Sequence, residues 1–478
     1  MKNLIAITTL LLAASPALAG RPNLEFRLGL DYLTLEQSDI RGLNGMSLSY
    51  RVTQGYYGGA SIYSAAIGTG GGFFVGGWEL GKHTTITDNL FWDASIFIGG
   101  GGGASQVSGD GLMLRPQAHF GYDFGDYRIG VGASFVSVSG SDISTPAFTL
   151  TFTRPLNIEL VGGHPTGGFA FRDVTRVNAL TPIVRSYIPL NNKKRGGGEL
   201  QNMWLMGAEL TFAHDTNSES FIQASGVVYG DAEGYADWVL GRRYLWNIAP
   251  LDFYADIGVG IGGGGAVDTG GGLLISASVG AQIDTLEHLN LAVDLGAISS
   301  LNGDFTALTP AIKASYAFGT GLGGMPELVR WQASTGVTQL ITSPEFRKLG
   351  AASTASPAMI SAEVDVFLLK NTYLTGQAYT AFSGDAGGFQ MGLLGIGYSY
   401  AVSEEISLSG EVFIGAAGGA GVNAKGGLLG GCKVEADYRL TDFTSLTLGL
   451  GQLQTLQSGG LHPLLASLGF KFPITTLH

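Results

Sequence analysis

From Leu24 the chain alternates. Leu24, Phe26, Leu28, Leu30 and Tyr32 fall on one side, Glu25, Arg27, Gly29 and Asp31 on the other. A period of two predicts a β-strand. The same alternation sets Phe148, Leu150 and Phe152 against Thr149, Thr151 and Thr153, and Phe253, Ala255, Ile257 and Val259 against Tyr254, Asp256, Gly258 and Gly260. It returns at Cys432–Leu440, and at Leu464, Ala466, Leu468, Phe470 and Phe472. No stretch shows a comparably clear helical period. One face of these strands is large and apolar; the other is small or polar, with a few charges.

Each strand runs about ten residues, roughly 25 Å of height once tilted, which matches the apolar band of a bacterial outer membrane. A charge aimed at lipid near midplane costs about 2–4 kcal/mol. The apolar face of every strand quoted is free of charge. That favours a wall facing hydrocarbon over a soluble sandwich.

The joins between strands alternate in kind. Ala213–Asn217, Gly125-Asp126, Thr285–His288, Leu440–Asp442 and Val402–Glu405 are short and polar. Gly140–Pro146, Asn302–Asp304 and Gly384–Gly388 belong to a generally longer, more glycine-rich set. Tight turns at one rim and looser loops at the other fit a barrel with its short turns in the periplasm.

A glycine run recurs three times. Gly99, Gly100, Gly101, Gly102 and Gly103 precede Ala104; Gly262, Gly263, Gly264 and Gly265 precede Ala266; Gly415, Gly418 and Gly419 precede Ala420. The closing alanines lie 162 and 154 residues apart. Three copies of one module follow, placed at 20–155, 156–318 and 319–478.

Composition narrows the class. Only 13 % of the 478 residues are charged, 77 are glycine, and the net charge is −12. No basic face of the size nucleic acid needs is available. Residues 1–19 read as an export signal: Lys2, an apolar Leu4–Ala14, and Ala17-Leu18-Ala19 before Gly20. Beyond them no run of eighteen apolar residues predicts a transmembrane helix. Cys432 is the only cysteine, which rules out an intramolecular disulfide framework.

On the export signal, the dyad repeat, the two kinds of join and the aromatic closing strand through Phe470-Lys471-Phe472, the mature chain resembles the Gram-negative outer-membrane β-barrel superfamily. Pro473 to His478 run on past that aromatic end. The expected fold is all-β: a transmembrane antiparallel up-and-down barrel of about twenty-four strands from three tandem eight-stranded repeats. Closure into one wide barrel is favoured over three separate eight-stranded barrels, because the linkers are short and most inward residues are small. Eight-stranded barrels fill their interiors, whereas a wide one leaves a lumen.

Candidate chemistry is sparse. The glycine runs suggest either a side-chain-free collar, past which a polymer or inserted segment moves, or curvature relief and tight loop packing. No Lys-Ser/Thr follows them, so they do not form a phosphate loop. Gly163–Gln201 reads as one long outward loop with Arg172, Arg176, Arg185, Lys193, Lys194 and Arg195, +4 against −16 for the rest of the chain. Such a loop either folds over a pore and favours anions, or lies exposed against lipopolysaccharide phosphates. The seven histidines are scattered without metal-ligand spacing, so no metal or other cofactor is expected. His164, His462 and Ser458 near the outer rim leave a lipid-modifying enzyme as a minor alternative. Trp78, Trp92, Trp204, Trp238, Trp246 and Trp331 read as interfacial belt residues.

The leading expectation is therefore a non-enzymatic outer-membrane channel or export conduit for hydrophilic solutes or a polymer. It would act through lumen width and electrostatics, in contact with outer-membrane lipids and lipopolysaccharide. The alternative from another class is a structural or adhesive surface barrel.

Overall fold

Alternation becomes strand along the described chain. The computed structural model describes residues 24–478 except 36–38, 52–54, 108, 157–175, 192, 216, 249, 287, 319–327, 350–352, 443 and 478. The expected signal at 1–19 lies outside the described residues. Within them the one helical element is a 3-10 turn at Pro344–Phe346.

The first module holds β1 (Leu24–Leu33), β2 (Ile40–Arg51), β3 (Tyr56–Gly68) and β4 (Phe74–Thr85). It continues with β5 (Leu90–Gly102), β6 (Leu112–Asp123), β7 (Arg128–Val138) and β8 (Ser144–Leu156). The second holds β9 (Arg176–Pro189), β10 (Met203–Asp215), β11 (Ser218–Tyr229), β12 (Ala236–Ile248) and β13 (Leu251–Gly263). After them come β14 (Leu273–Leu286), β15 (Leu289–Ser300), β16 (Thr306–Leu308) and β17 (Ala311–Ala317). The third holds β18 (Leu328–Ile341), β19 (Ala358–Phe367), β20 (Thr372–Ala381) and β21 (Gln390–Ala401). It ends with β22 (Ile406–Gly418), β23 (Leu428–Thr441), β24 (Thr444–Thr455) and β25 (Leu464–Leu477).

Each module closes on itself. β1 pairs with β8 from Leu24↔Leu156 to Leu33↔Ala147, and β18 with β25 from Leu328↔Leu477 to Ile341↔Leu464. In the middle module β16 and β17 both pair with β15 and with β9, and act as one stave interrupted at Thr309-Pro310. Proline removes a ladder hydrogen bond, which accounts for the break. The result is three eight-stave antiparallel barrels, and the single wide barrel is corrected to its alternative. Two physical terms favour this outcome. Closing a ring within one module costs less loop entropy than closing it across the whole chain. The inward side chains are also larger than expected: Tyr63, Phe97, Arg115 and Phe389 are all buried inside, and eight staves leave just the room to pack them.

The expected long loop is also corrected. Most of Arg176–Pro189 alternates, with Thr181, Ile183, Arg185 and Tyr187 inward and Val184 and Ile188 outward. Its arginines and prolines disguise it as a loop. At the other end of the chain, Pro473–Leu477 stay paired with β18 and do not trail free.

The outer walls are apolar as expected. Phe152 is exposed, Ile257 is 62 % exposed, and Leu28 and Phe470 are half-buried on the same outward face. The interiors are divided along the axis. At the loop rim each barrel holds a dry cluster: Tyr63, Phe73, Val75, Phe97 and Met113 in the first, Tyr187, Met203, Tyr235 and Phe305 in the second, Phe346, Tyr379, Phe389 and Phe413 in the third. Below it, toward the turn rim, the interior is mostly ionic; in the second barrel buried Asp237 also sits within the cluster, accepting from the Tyr187 hydroxyl at 2.6 Å.

Candidate functional site

The three barrels form a ring. β3 of the first lies against β13 and β14 of the second, β11 of the second against β22 and β23 of the third, and β20 of the third against β4 and β5 of the first. The same face of each barrel thus meets the same face of the next, so one chain has the plan of a closed cyclic trimer. The third stave carries small residues outward in each case: Gly58, Ala60 and Ser64; Ser220, Ala224 and Gly226; Gly376, Ala378 and Thr380.

The glycine runs are the seams of this ring. Each receives the loop after the third stave of the preceding barrel: Gly70–Phe73, Ala232–Tyr235 or Ala386–Phe389. A Cβ on Gly263 would stand 2.4 Å from Gly72 N, one on Gly418 2.6 Å from Gly234 Cα, and one on Gly100 2.6 Å from Ala381 O. No side chain fits between backbones that close. Gly71 N donates to Gly270 O at 2.8 Å and Gly387 N to Gly109 O at 2.8 Å. In the third seam Glu233 takes the equivalent loop position, and Lys348 Nζ meets its carboxylate at 3.0 Å. Other glycines serve their own barrel: Gly99 would strike the Phe97 ring, Gly103 the carbonyl of Gly72, and Gly415 that of Gly392. Ala104, Ala266 and Ala420 close the runs at φ 52, 61 and 51°, a left-handed turn that alanine adopts only under tertiary constraint. Of the two readings of the runs, tight packing describes them, and the backbone they admit belongs to a neighbouring barrel.

Each seam loop also delivers an aromatic. Phe73, Tyr235 and Phe389 turn back into their own barrels as part of the dry cluster. Their carbonyls accept from Ala65, Val227 and Ala381 at 3.1, 3.0 and 3.0 Å. One loop therefore both packs the seam and plugs the barrel.

Beneath the plugs lie the buried ions. In the first barrel Arg115 Nε and Nη2 hold Asp31 at 2.6 and 2.7 Å, and Thr149 donates to the same carboxylate at 2.7 Å. Arg27 bridges Glu79 at 3.0 Å and Asp93 at 3.4 Å, and Arg128 binds Glu25 nearer the turn rim. In the second, Arg243 meets Glu209 and Asp256, each at 2.8 Å, and Lys313 meets Asp294 at 2.8 Å. In the third, Lys433 meets Glu363 at 2.5 Å and Glu435 at 2.8 Å, and Lys471 meets Glu435 at 2.9 Å. Breaking one partner of such a pair costs about 3–5 kcal/mol.

The six cationic candidates do not form one site. Arg172 lies outside the described residues, and Arg176 opens β9. Arg185 is inside the second barrel, donating to Gln223 Oε1 at 2.9 Å. Lys193, Lys194 and Arg195 sit on the loop rim: Lys194 pairs with Asp231 at 2.8 Å, and Arg195 donates to Gly270 O at 3.2 Å. Ser458 accepts from Lys425 Nζ at 2.5 Å; His164 lies outside the described residues. Two tryptophans leave the expected belt. Trp331 is buried against Phe318 of the second barrel, and Trp78 donates to Thr335 of the third.

The ion networks were the residues that alternation alone passed over. Their signal was present: Arg27, Arg115, Arg243, Lys313, Lys433 and Lys471 all fall on inward positions. The recurring Gly72-Phe73, Gly234-Tyr235 and Gly388-Phe389 was a second signal.

No protein-family model and no curated protein matches the chain. Among solved structures, OccK11 (OpdR) of Pseudomonas aeruginosa is 11 % identical, with 95 % of each chain covered and a TM-score of 0.22. The copper transporter OprC is 11 % identical over 96 % of this chain and 82 % of that one, with a TM-score of 0.31. The siderophore receptor PirA of Acinetobacter baumannii is 9 % identical over 94 % and 80 %, with a TM-score of 0.30. The resemblance to outer-membrane β-barrels rests on this chain's own closed antiparallel staves and apolar outer walls.

Proposed function

We propose that the protein is a closed structural barrel of the outer membrane, a triple anchor whose work is done at its loop rim. One observation carries this reading: every barrel is stopped at the loop rim by a dry cluster of fully buried side chains. A conduit that works by lumen width needs a lumen, and eight staves filled this way leave none for a solute or polymer. Residues 1–19 would supply the export signal. Lys193, Lys194 and Arg195 on the loop rim would be its contacts for lipopolysaccharide phosphates, Lys194 giving up its pairing with Asp231 to do so.

Planar-bilayer recording of the full chain tests the proposal, with no steady conductance expected. Stable channels in the unmodified protein would overturn it in favour of transport. That second reading has one observation in its favour, the ionisable lining of the turn half of each barrel. It would be a gated path for small ions, opened by withdrawing the aromatic plug. Replacing Phe73, Tyr235 and Phe389 together by alanine tests it directly. Small-ion conductance in this variant alone would show that the aromatics are the block a gate would have to withdraw; a silent variant would sink the gated reading.

A further inference from the structure

The third barrel is built differently inside from the first. Its inner wall buries five carboxylates, Glu363, Asp365, Glu411, Glu435 and Asp437, and two ammonium groups, Lys433 and Lys471. In the first barrel the buried carboxylates Glu25, Asp31, Glu79 and Asp93 face Arg27, Arg115 and Arg128, with half-buried Arg51 on Glu25 as a fourth cation. Carboxylates buried without a counter-charge are costly unless something neutralises them.

The excess is localised. Glu363, Asp365 and Glu411 bring carboxylate oxygens within 4.8 Å of one another. Lys433 takes Glu363 Oε2 at 2.5 Å and Glu411 Oε2 at 3.2 Å. Tyr373 donates to Glu411 Oε1 at 2.8 Å, and Gln377 to Oε2 at 2.7 Å. That leaves Glu363 Oε1 and the Asp365 carboxylate without a hydrogen bond of good geometry, Asp365 being 0 % exposed with the Thr375 hydroxyl as its neighbour. Asp365 stands two residues from the end of β19, near the turn-rim mouth of the barrel.

We propose that this pocket binds one hard divalent cation, of the Ca²⁺ or Mg²⁺ class, on the free oxygens of Asp365 and Glu363, with Glu411 at its edge. The donor set is all oxygen, which selects such ions over zinc or copper. Oxygens on opposite sides of a Ca²⁺ ion lie about 4.8 Å apart, twice a bond of about 2.4 Å, which the cluster allows. Lys433 engages Oε2 of Glu363 and of Glu411 and makes no ion pair with Asp365, on which the Lys471 and Lys433 charges act only at longer range. The cation would enter from the turn rim.

The test uses the full chain in detergent micelles, stripped with a chelator and titrated calorimetrically with Ca²⁺ alone and Mg²⁺ alone. One equivalent of one ion is expected to bind. Asp365→Asn should weaken it at least about tenfold, since affinity follows ligand charge, and Glu404→Gln on the nearby exposed turn should not change it. Thermal unfolding gives a second readout. Without cation, Asp365→Asn should melt above the stripped wild type, because a buried unpaired charge is gone; added cation should raise only the wild type. No binding by wild type, or equal binding by Asp365→Asn, would overturn the proposal. A proton would then be the neutralising partner, or exposed acids the binding site.

Discussion

At the scale of single residues, this chain uses charge where a soluble protein uses apolar core. Arg115 is 1 % exposed and satisfied by Asp31 and the Tyr63 hydroxyl, at 2.6–2.9 Å. Arg115→Met keeps the volume and strands Asp31, which then retains Thr149. The expected loss is about 3–5 kcal/mol, and Arg115→Met combined with Asp31→Leu should recover most of it. Urea titration of the protein refolded in lipid vesicles measures both, with Asp31→Leu alone closing the cycle; losses that simply add would mean the pair contributes no coupling. Residue positions of this kind were partly legible in the sequence. Alternation placed Arg27, Asp31 and Asp256 on the inward face. It gave no account of their partners, which come from other staves: Arg27 and Asp93 lie 66 positions apart. Pairing at that range depends on register and closure, which a local period does not encode.

At the scale of elements, the seam loop is the unit with most consequence. Gly388-Phe389 is short, yet it must hold a left-handed glycine at φ 94° and seat a fully buried ring against Ala386 and Met391. Phe389→Ala removes the ring from the dry cluster and should cost about 3–5 kcal/mol. Hydrogen exchange should show the loss concentrated at the loop ends of β20 and β21, with the ionic half of the barrel still protected. Uniform loss along both strands would mean that plug and ion network unfold as one unit. Strand existence and face were readable in β1, β8, β13, β23 and β25, where an apolar outer wall and inward side chains enforce a strict period. β9 was missed because Pro182 and Arg185 interrupt it, and what makes it a strand is pairing with β10 and β17. Closure was misjudged for a related reason. Counting small inward residues suggested an empty lumen, but Phe97, Arg115 and Phe389 fill the space that many glycines leave.

At the scale of the whole molecule, three seams close one ring, so no single seam carries the assembly. A charge on the lipid wall and bulk in a seam should therefore fail differently. Val131, fourth of the eleven residues of β7, lies on the exposed outer wall of the first barrel, and Val131→Arg should cost up to about 2–4 kcal/mol of membrane stability while the ring stays shut. Gly418→Leu loads only the seam between the second and third barrels, since its Cβ would meet Gly234 at 2.6 Å. The first barrel still bridges the other two, so the opened seam should loosen without letting them part. Adding Gly100→Leu, whose Cβ would meet Ala381 O in the seam between the third and first barrels, removes the second hold on the third barrel and frees it on its linker. Spin labels at Leu190 and Leu349, both exposed on the loop rim of the second and third barrels, read this directly in a Cys432→Ser background. The expected distance distribution is narrow in the parent, moderately broader in Gly418→Leu, and spread widely only in the double variant. Full spreading from Gly418→Leu alone would show two independent contacts instead of a closed ring, and a narrow distribution in the double variant would show that the barrels are held by something other than their glycine seams.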